Sequence, residues 1–408
     1  VYYVDGKPKS YDVNIFPRDA DHPQGWGTIL VVNFRFGGGE ITIDPDSDLD
    51  VDTSDDITMR SAYVVLDITN PEKPPVLLAE LSHAEMGYTT AEPTVIQYRK
   101  KRPNGSFIGR HGANNNNKWW LVMGSGPTGI DAVTKSSALT EAVSAQNAKV
   151  FFYDLHANAG SSSMLITDTG QAQSFIGGLS SDDTDEDYDT DAVYYGTVGR
   201  TTVVLPGPVT TEVPTGVVGR VRVKAGASGF PDHDDLRPFV AVNQPVSATP
   251  LVSRDALGQP WLYFGTGRFL VTSDVTLQNQ ESFYGVKETL NASGAYNYAS
   301  VSLTHLVDVT GVQVYGDGSI TDSFGSSPVN LSAASNSTSA ESFNEMLNFI
   351  DGQKGWKRDL GSTYNRSTSS PVKFSNLVLY IDYRASGNTC EPSGTSSLSA
   401  VHERTGTS

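Results

Sequence analysis

The sequence predicts an all-β protein built from repeated small sheets. Its 408 residues include 39 glycines, 21 prolines and 18 tyrosines, and only 18% of the residues are charged. This composition favours strands and turns over long helices. Many short runs rich in Val, Tyr and Phe alternate with turn-rich segments along the whole chain, which is the pattern of strands joined by loops.

A loose internal repeat indicates how these strands are grouped. EPTVIQY, KWWLVMGSG and AKVFFYDL follow the same order as ATPLVS, PWLYFGTG and ESFYGVK, and as SSPVKFSN, LVLYIDYRASG and TSSLSAVHERTG. SYDVNIF, GTILVVNFRFGGG and SAYVVLDITNP form a fourth copy, and DTDAVYYGTVGR with GRVRV forms a fifth. Units of three or four strands bury their faces only against neighbouring units, so the repeat predicts the blades of a β-propeller. A pair of β-sandwiches or a solenoid is the alternative.

Low-complexity segments between these units predict long inserted loops, at 112–117, 136–148, 201–218 and 330–340. One stretch, 340–353, predicts a short helix instead. Its apolar residues share a helical face: Phe343, Met346, Leu347 and Ile350.

Charge and cysteine usage narrow the function classes. The net charge of −17 argues against a phosphate backbone or an anionic membrane as a direct partner and favours a cation. The one cysteine, Cys390, excludes an internal disulfide and a cysteine-based zinc or iron-sulfur site. No apolar run approaches the roughly 20 residues of a membrane span. The opening VYYVDGKPKSYDVNIF reads like the inside of a domain rather than a signal peptide, so we expect a processed or truncated product.

An acidic stretch, SDDTDEDYDTDAVYYG at 181–196, carries the main candidate site. If Asp183 is position 1, aspartates occupy positions 1, 3, 5, 7 and 9, and these are Asp183, Asp185, Asp187, Asp189 and Asp191. Ca²⁺ takes six to eight oxygen ligands, and alternate residues of a tight loop can supply them, with position 7 using its backbone carbonyl. If Asp185 were position 1, position 9 would be Val193, which offers no side-chain oxygen.

The stretch is not an EF-hand. Position 12 is Tyr194 where that motif needs glutamate, and position 6 is Tyr188 where it needs glycine. A nine-residue calcium loop that closes on Asp191 describes it better, and a solvated acidic loop is the alternative.

A second alternating run spans 44–52, with Asp44, Asp46, Asp48, Asp50 and Asp52. For this run an exposed loop or hairpin tip is favoured over a second cation site.

The loop DTDEDYDTDAVYYG resembles the calcium loop of the PilC/PilY family of type IV pilus tip-associated proteins, an Asp-x-Asp-x-Asp-Tyr-x-x-Asp loop followed by a Val-Tyr strand. Other motifs agree in order across nearly the whole chain. These are GWGTILVVNFRFGGG, AYVVLDITNP, PLVSRDALGQPWLYFGTGRFL, QESFYGV, GWKRDL and SGNTCEPSGTSSLSAVHERTG.

The resemblance implies a modified, seven-bladed β-propeller, here one domain over 1–408, from the C-terminal half of a large surface protein. It implies Ca²⁺ at Asp183, Asp185, Asp187, Asp191 and the Asp189 carbonyl. It further implies an extracellular protein of a Gram-negative bacterium, secreted through the periplasm and outer membrane, with roles in pilus extension and retraction, twitching and adhesion. The expected partners are minor pilins at the pilus tip and a host or abiotic surface receptor.

Some positions depart from the family pattern. Thr197 replaces an aspartate after the Val-Tyr strand, and an insertion separates YYGTVGR from GRVRVK, which puts blade closure there in question. The family's N-terminal region is absent and no Arg-Gly-Asp is present, so integrin binding is not supported. Cys390 lies where the family often has a cysteine.

The main rival is a calcium-dependent quinoprotein dehydrogenase, which is also a propeller. Such enzymes need a vicinal cysteine pair and a regular tryptophan repeat, and the chain supplies neither. The seven histidines are too dispersed for a metal cluster or an obvious base: His22, His83, His111, His156, His233, His305 and His402. The segment FPDHDDLRP at 230–238 reads as a polar loop, with metal binding through His233 and its neighbouring aspartates as the alternative.

Two further features have plain explanations. The glycines Gly37, Gly38 and Gly39 lack the following Lys-Ser/Thr of a phosphate loop and predict a turn or bulge. Trp119, Trp120 and Trp261 predict packing within blades rather than sugar platforms. The sequence therefore favours a non-enzymatic protein.

Overall fold

The computed structural model describes residues 4–39, 41–43, 57–99, 117–130, 136–156, 164–184, 186–204, 210–223, 237–291, 297, 299–386 and 393–408. Within these ranges the chain is nearly all β, as predicted, with 28 strands and two α-helices. It divides into two compact units, 1–181 with 188–191 and 222–234, and 182–187 with 192–221 and 235–408. The run Asp44–Asp52, the segment 230–236 and Cys390 lie outside the described residues.

The first unit begins with a four-stranded antiparallel sheet in the order β1-β2-β5-β6. Its strands are β1 (Lys9–Asn14), β2 (Trp26–Asn33), β5 (Tyr63–Asp67) and β6 (Val76–Leu81). Alternate residues of WGTILVVN are buried, and Ile29 and Val31 are fully so, because side chains of a strand point to opposite faces in turn. In a separate two-stranded sheet, β3 (Ile41–Ile43) pairs with β4 (Ile57–Met59).

A second sheet of the first unit has the order β10-β9-β8-β7. Its strands are β7 (Thr94–Arg99), β8 (Asn117–Gly124), β9 (Lys149–Asp154) and β10 (Leu165–Asp168). Trp119 and Trp120 of β8 are 7% and 3% exposed, which confirms the packing prediction for them. The four-residue helix α1 (Ser137–Thr140) precedes β9, and β11 (Ser174–Asp182) joins Glu92 through a bridge at Gly178.

The four strands that come directly after the acidic loop lie mainly in the second unit. They are β12 (Ala192–Val204), β13 (Thr210–Thr215), β14 (Val217–Arg222) and β15 (Arg237–Ala241). Strands β12, β14 and β15 are sheet neighbours in that order, so the sheet continues past Thr197 despite the departure from the family pattern. The Thr197 hydroxyl accepts a hydrogen bond from the Val217 amide (2.9 Å), which joins the two strands.

Two further multi-stranded sheets lie in the second unit. One has the order β16-β17-β18-β24-β19, and the other contains β25, β26 and β28 paired with β27. Their strands are β16 (Leu251–Arg254), β17 (Pro260–Gly265), β18 (Ser282–Lys287), β19 (Val307–Asp308), β24 (Gly355–Asp359), β25 (Asn365–Arg366), β26 (Val372–Phe374), β27 (Leu377–Ala385) and β28 (Gly394–His402). Trp261 is fully buried in β17, again as predicted. The five multi-stranded sheets contain the five repeat units that the sequence predicts.

Two segments that were expected to be loops contain paired β-strands among their described residues. The insertion 201–218 continues β12 and pairs it with β13, from Gly199↔Thr215 to Val204↔Thr210. The segment 330–340 forms β22 (Val329–Ala333) and β23 (Asn336–Ala340). In β22 every second residue is buried, with Leu331 only 1% exposed. This period of two outweighs the Ser- and Asn-rich composition that predicted a loop.

The predicted helix forms as α2 (Phe343–Asp351), with the Ser342 side chain as its N-cap. Met346 and Ile350 are fully buried in the core of the second unit. The prediction of a single helix was wrong, because α1 forms within the segment 136–148 that was expected to be a loop. A further hairpin, β20 (Gln313–Val314) with β21 (Ile320–Thr321), precedes β22.

Candidate metal centre

The acidic loop connects the end of β11 to the start of β12. Of its five predicted ligands, Asp183, Asp187, Asp189 and Asp191 lie among the described residues. Asp185 lies outside the described residues. The predicted donor set would consist of carboxylate and carbonyl oxygens, the ligand type that Ca²⁺ prefers. Among the described side chains, no three carboxylate, imidazole or thiol groups are gathered closely enough to hold a metal ion.

Local hydrogen bonds bend the first half of the loop. The Asp187 amide donates to Asp183 Oδ1 at 3.1 Å, and the Thr184 hydroxyl donates to Asp182 Oδ2 at 3.1 Å. Glu186 has a φ of +56°, a left-handed conformation that a non-glycine residue adopts only when its surroundings require it. The chain therefore departs from the extended form immediately after β11.

Arg254, at the end of β16, binds this first half. Its Nη2 donates to the carbonyl of Asp183 at 2.7 Å and to the carbonyl of Thr184. Its Nη1 lies 3.9 Å from Asp182 Oδ1 and 4.0 Å from Glu186 Oε1. The sequence offered no signal for this contact, because Arg254 is far from the loop along the chain and no local spacing connects them.

The second half of the loop is held mainly by backbone hydrogen bonds within the first unit. The Thr190 amide donates to the carbonyl of Gln97 in β7 (2.7 Å), and the Gln97 amide donates to Thr190 Oγ1 (3.2 Å). The Asp191 carbonyl accepts from the Val223 amide (2.8 Å). Tyr188 has a φ of +70° and its side chain is 65% exposed. Direct backbone pairing thus fixes the loop where it closes.

Strand β12 enters the core directly after Asp191, as the sequence predicts for DAVYYG. Ala192, Val193 and Tyr194 are fully buried. The Tyr194 hydroxyl donates to Glu288 Oε2 at 2.7 Å, and Arg220 of β14 forms an ion pair with the other oxygen of Glu288. Burial raises the pKa of Glu288, while Arg220 and the Tyr194 hydrogen bond oppose that rise.

The other candidate residues are distributed through the fold. The five described histidines lie at separate positions, and His22 has both ring nitrogens 3.0 Å from carboxylates, those of Asp19 and Asp67. Gly37 donates to the Phe34 carbonyl at 2.9 Å and Gly38 has a φ of +67°, which confirms the predicted turn. His233 of FPDHDDLRP lies outside the described residues.

Comparison with solved structures identifies the fold. The class is the β-propeller, to which the chain's repeated antiparallel sheets correspond. The chain is similar to the C-terminal domain of PilY1 from Pseudomonas aeruginosa, with a TM-score of 0.58 and 16% sequence identity over 99% of this chain and 71% of that one. No protein-family model and no curated protein matches the sequence. No helix among the described residues is long and apolar enough to cross a membrane.

Proposed function

We propose that the chain is a non-enzymatic, calcium-binding, extracellular protein of the type IV pilus tip that acts in pilus biogenesis and adhesion. The observation that carries the proposal is the propeller fold shared with the PilY1 C-terminal domain over 99% of the chain. The family-like motifs, in the same order along the sequence, support it independently of the fold. Minor pilins and a surface receptor are the proposed partners.

Asp183, Asp185, Asp187 and Asp191 would hold Ca²⁺ through their carboxylates, and Asp189 would hold it through its carbonyl. Bound calcium supplies positive charge among carboxylates that otherwise repel one another. The buried start of β12 would fix one end of the loop, and the aspartate side chains at the other end would turn toward the cation. The loop would then act as a structural or regulatory switch on a partner surface.

One experiment on the purified protein separates this proposal from the quinoprotein alternative. Its bound metal is measured by elemental analysis, and its dehydrogenase activity is assayed with added quinone and calcium. We expect about one calcium per chain and no activity above a heat-treated control. Quinone-dependent oxidation of an alcohol would overturn the non-enzymatic assignment.

The pilus role is tested in cells. A strain that carries Asp187→Ala and Asp191→Ala in the full-length protein is compared with wild type for twitching and surface adhesion, with protein levels matched by immunoblot. We expect both properties to change. Unchanged twitching and adhesion in a strain whose protein has lost calcium binding would remove the regulatory role of the loop.

A further inference from the structure

We infer that Arg254 is a positioning residue for the calcium loop: its guanidinium holds the first half of the loop in its bent form before a cation binds. The inference rests on the proposed function, since it concerns the regulation of the same site. It is carried by the contacts of Arg254 with the segment Asp182–Asp187, all within the second unit.

The hydrogen bonds of Arg254 require a bend. In an extended strand, successive carbonyls point in alternating directions. The carbonyls of Asp183 and Thr184 nevertheless both accept from the same Arg254 nitrogen, Nη2. A chain that satisfies both bonds must leave the extended form at this point, and the bend does begin at Thr184. Arg254 therefore selects the conformation in which the loop departs from β11.

The positive charge of Arg254 also favours the bent form of the loop. Its Nη1 is about equally distant from the Asp182 and Glu186 carboxylates, which flank the bend on either side. Both carboxylates belong to the dense acidic run but neither is a predicted calcium ligand. A guanidinium offers several donors in a fixed planar array. Arg254 can therefore offset repulsion at the start of the loop while leaving the ligand carboxylates to the cation.

The end of β16, which carries Arg254, is held in place by contacts from other parts of the second unit. Lys373 donates to the Arg254 carbonyl and pairs with Glu403 Oε2 at 2.7 Å. The other oxygen of Glu403, whose side chain is 1% exposed, accepts from the Ala256 amide at 3.2 Å. The backbone at Arg254 is thus held from within the second unit, and these contacts do not involve the acidic loop.

A positioning role and a purely electrostatic role predict opposite changes in calcium affinity when the Arg254 side chain is removed. If Arg254 acted only as a nearby positive charge, its loss would strengthen Ca²⁺ binding by an acidic protein. If it pre-folds the loop, its loss weakens binding, because the cation must then order the segment itself. The sign of the change in affinity therefore decides between the two roles.

The test uses the purified protein with three variants. Arg254→Gln removes the charge and the paired donors, and Arg254→Lys keeps the charge with different donor geometry. Arg18→Gln makes the same charge change at an exposed position. Affinity is measured by calorimetric titration with CaCl₂. We expect Arg254→Gln to bind about tenfold more weakly, Arg254→Lys to lie between it and wild type, and Arg18→Gln to stay within about twofold of wild type.

A second readout needs no metal. Hydrogen exchange of a peptide that covers 183–187 is followed in EGTA, and we expect faster exchange in Arg254→Gln at an unchanged melting temperature. Equal or tighter calcium binding by Arg254→Gln, or unchanged exchange, would overturn the inference. If wild type does not bind calcium, the proposed calcium function is wrong, and so is the role of Arg254 toward calcium. If wild type binds calcium and Arg254→Gln binds it equally well, only the role of Arg254 is wrong.

Discussion

The first half of the acidic loop and the strand that leaves the loop are held in opposite ways. Segment 182–187 depends on Arg254, whose side chain is 25% exposed, and on hydrogen bonds among its own polar groups. Strand β12 depends on Tyr194, Glu288 and Arg220, whose side chains are at most 3% exposed. Interactions near water are weak and adjustable, whereas a buried ion pair is costly to disturb. The loop can therefore change conformation while the strand stays in place.

The largest effect is expected where the strand is anchored. Arg220→Met should lower the free energy of unfolding by about 3–5 kcal/mol at neutral pH, because it leaves the Glu288 carboxylate buried without its partner. Urea unfolding measures the loss. The double variant Arg220→Met/Glu288→Gln removes the stranded charge and should recover part of the stability. A double variant as unstable as the single one would show that packing, not charge, sets the cost.

Glu281, directly before β18, predicts a pH dependence away from the loop. Its side chain is buried, its Oε2 has no hydrogen-bond partner among the described residues, and burial raises its pKa to about 7. Because its pKa is raised on folding, the Glu281 carboxyl binds more protons in the folded state than in the unfolded state between about pH 4.5 and 7. Its contribution to the stability of the folded protein is therefore fully present at lower pH and is lost as the pH rises through that window.

Glu281→Gln should therefore stabilise the protein relative to wild type at pH 8, by up to about 3 kcal/mol. The difference between the two proteins should vanish near pH 4.5. Urea unfolding at several pH values measures it. A difference that does not depend on pH would contradict the assignment of Glu281 as a carboxyl kept neutral by burial.

A glycine within β12 tests how tightly that strand is packed. A Cβ at Gly196 would lie 2.5 Å from the Val246 carbonyl oxygen, whereas a Cβ at Gly316 would meet nothing within 4 Å. Gly196→Ala should cost about 1–3 kcal/mol, as overpacking does in dense cores. Gly316→Ala is the matched control and should change stability by less than about 0.5 kcal/mol. Equal thermal stability of the two variants would argue against a tightly packed β12.

Apart from the control Gly316→Ala, the smallest effect on stability is expected in the loop. Asp187→Ala combined with Asp191→Ala, measured in EGTA, should change the free energy of unfolding by less than about 1 kcal/mol, because both side chains are partly exposed. Thermal unfolding of the double variant and wild type compares them directly. A loss as large as that of Arg220→Met would remove the contrast between an adjustable loop and a fixed strand.

The sequence predicts the sheets better than it predicts the segments between them. Apolar strands such as KWWLVMGSG and PWLYFGTG carry their own signal, and β8 and β17 form where they lie. The segments 201–218 and 330–340 were expected to be loops because of their Pro, Ser and Asn content. Pairing with a neighbouring strand and burial of residues such as Leu331 decide their structure, and composition does not record either.

In the acidic loop, too, the sequence reveals local features but not the contacts that the fold creates. The alternation of aspartates is local, so it can be seen in the sequence, as can the buried strand that follows. Arg254 could not be found in this way, because its contact with Asp183 joins positions 71 residues apart. Such a contact is a product of the fold. The five aspartates remain a prediction about calcium that the chain's donor chemistry supports.

Calorimetric titration of the purified protein with CaCl₂, comparing wild type with the Asp187→Ala/Asp191→Ala variant, tests the central claim most directly. The account predicts one saturable calcium site in wild type and at least tenfold weaker binding in the variant, because two of the ligands are lost. Equal affinity in the two proteins would contradict the assignment of the loop as the calcium site.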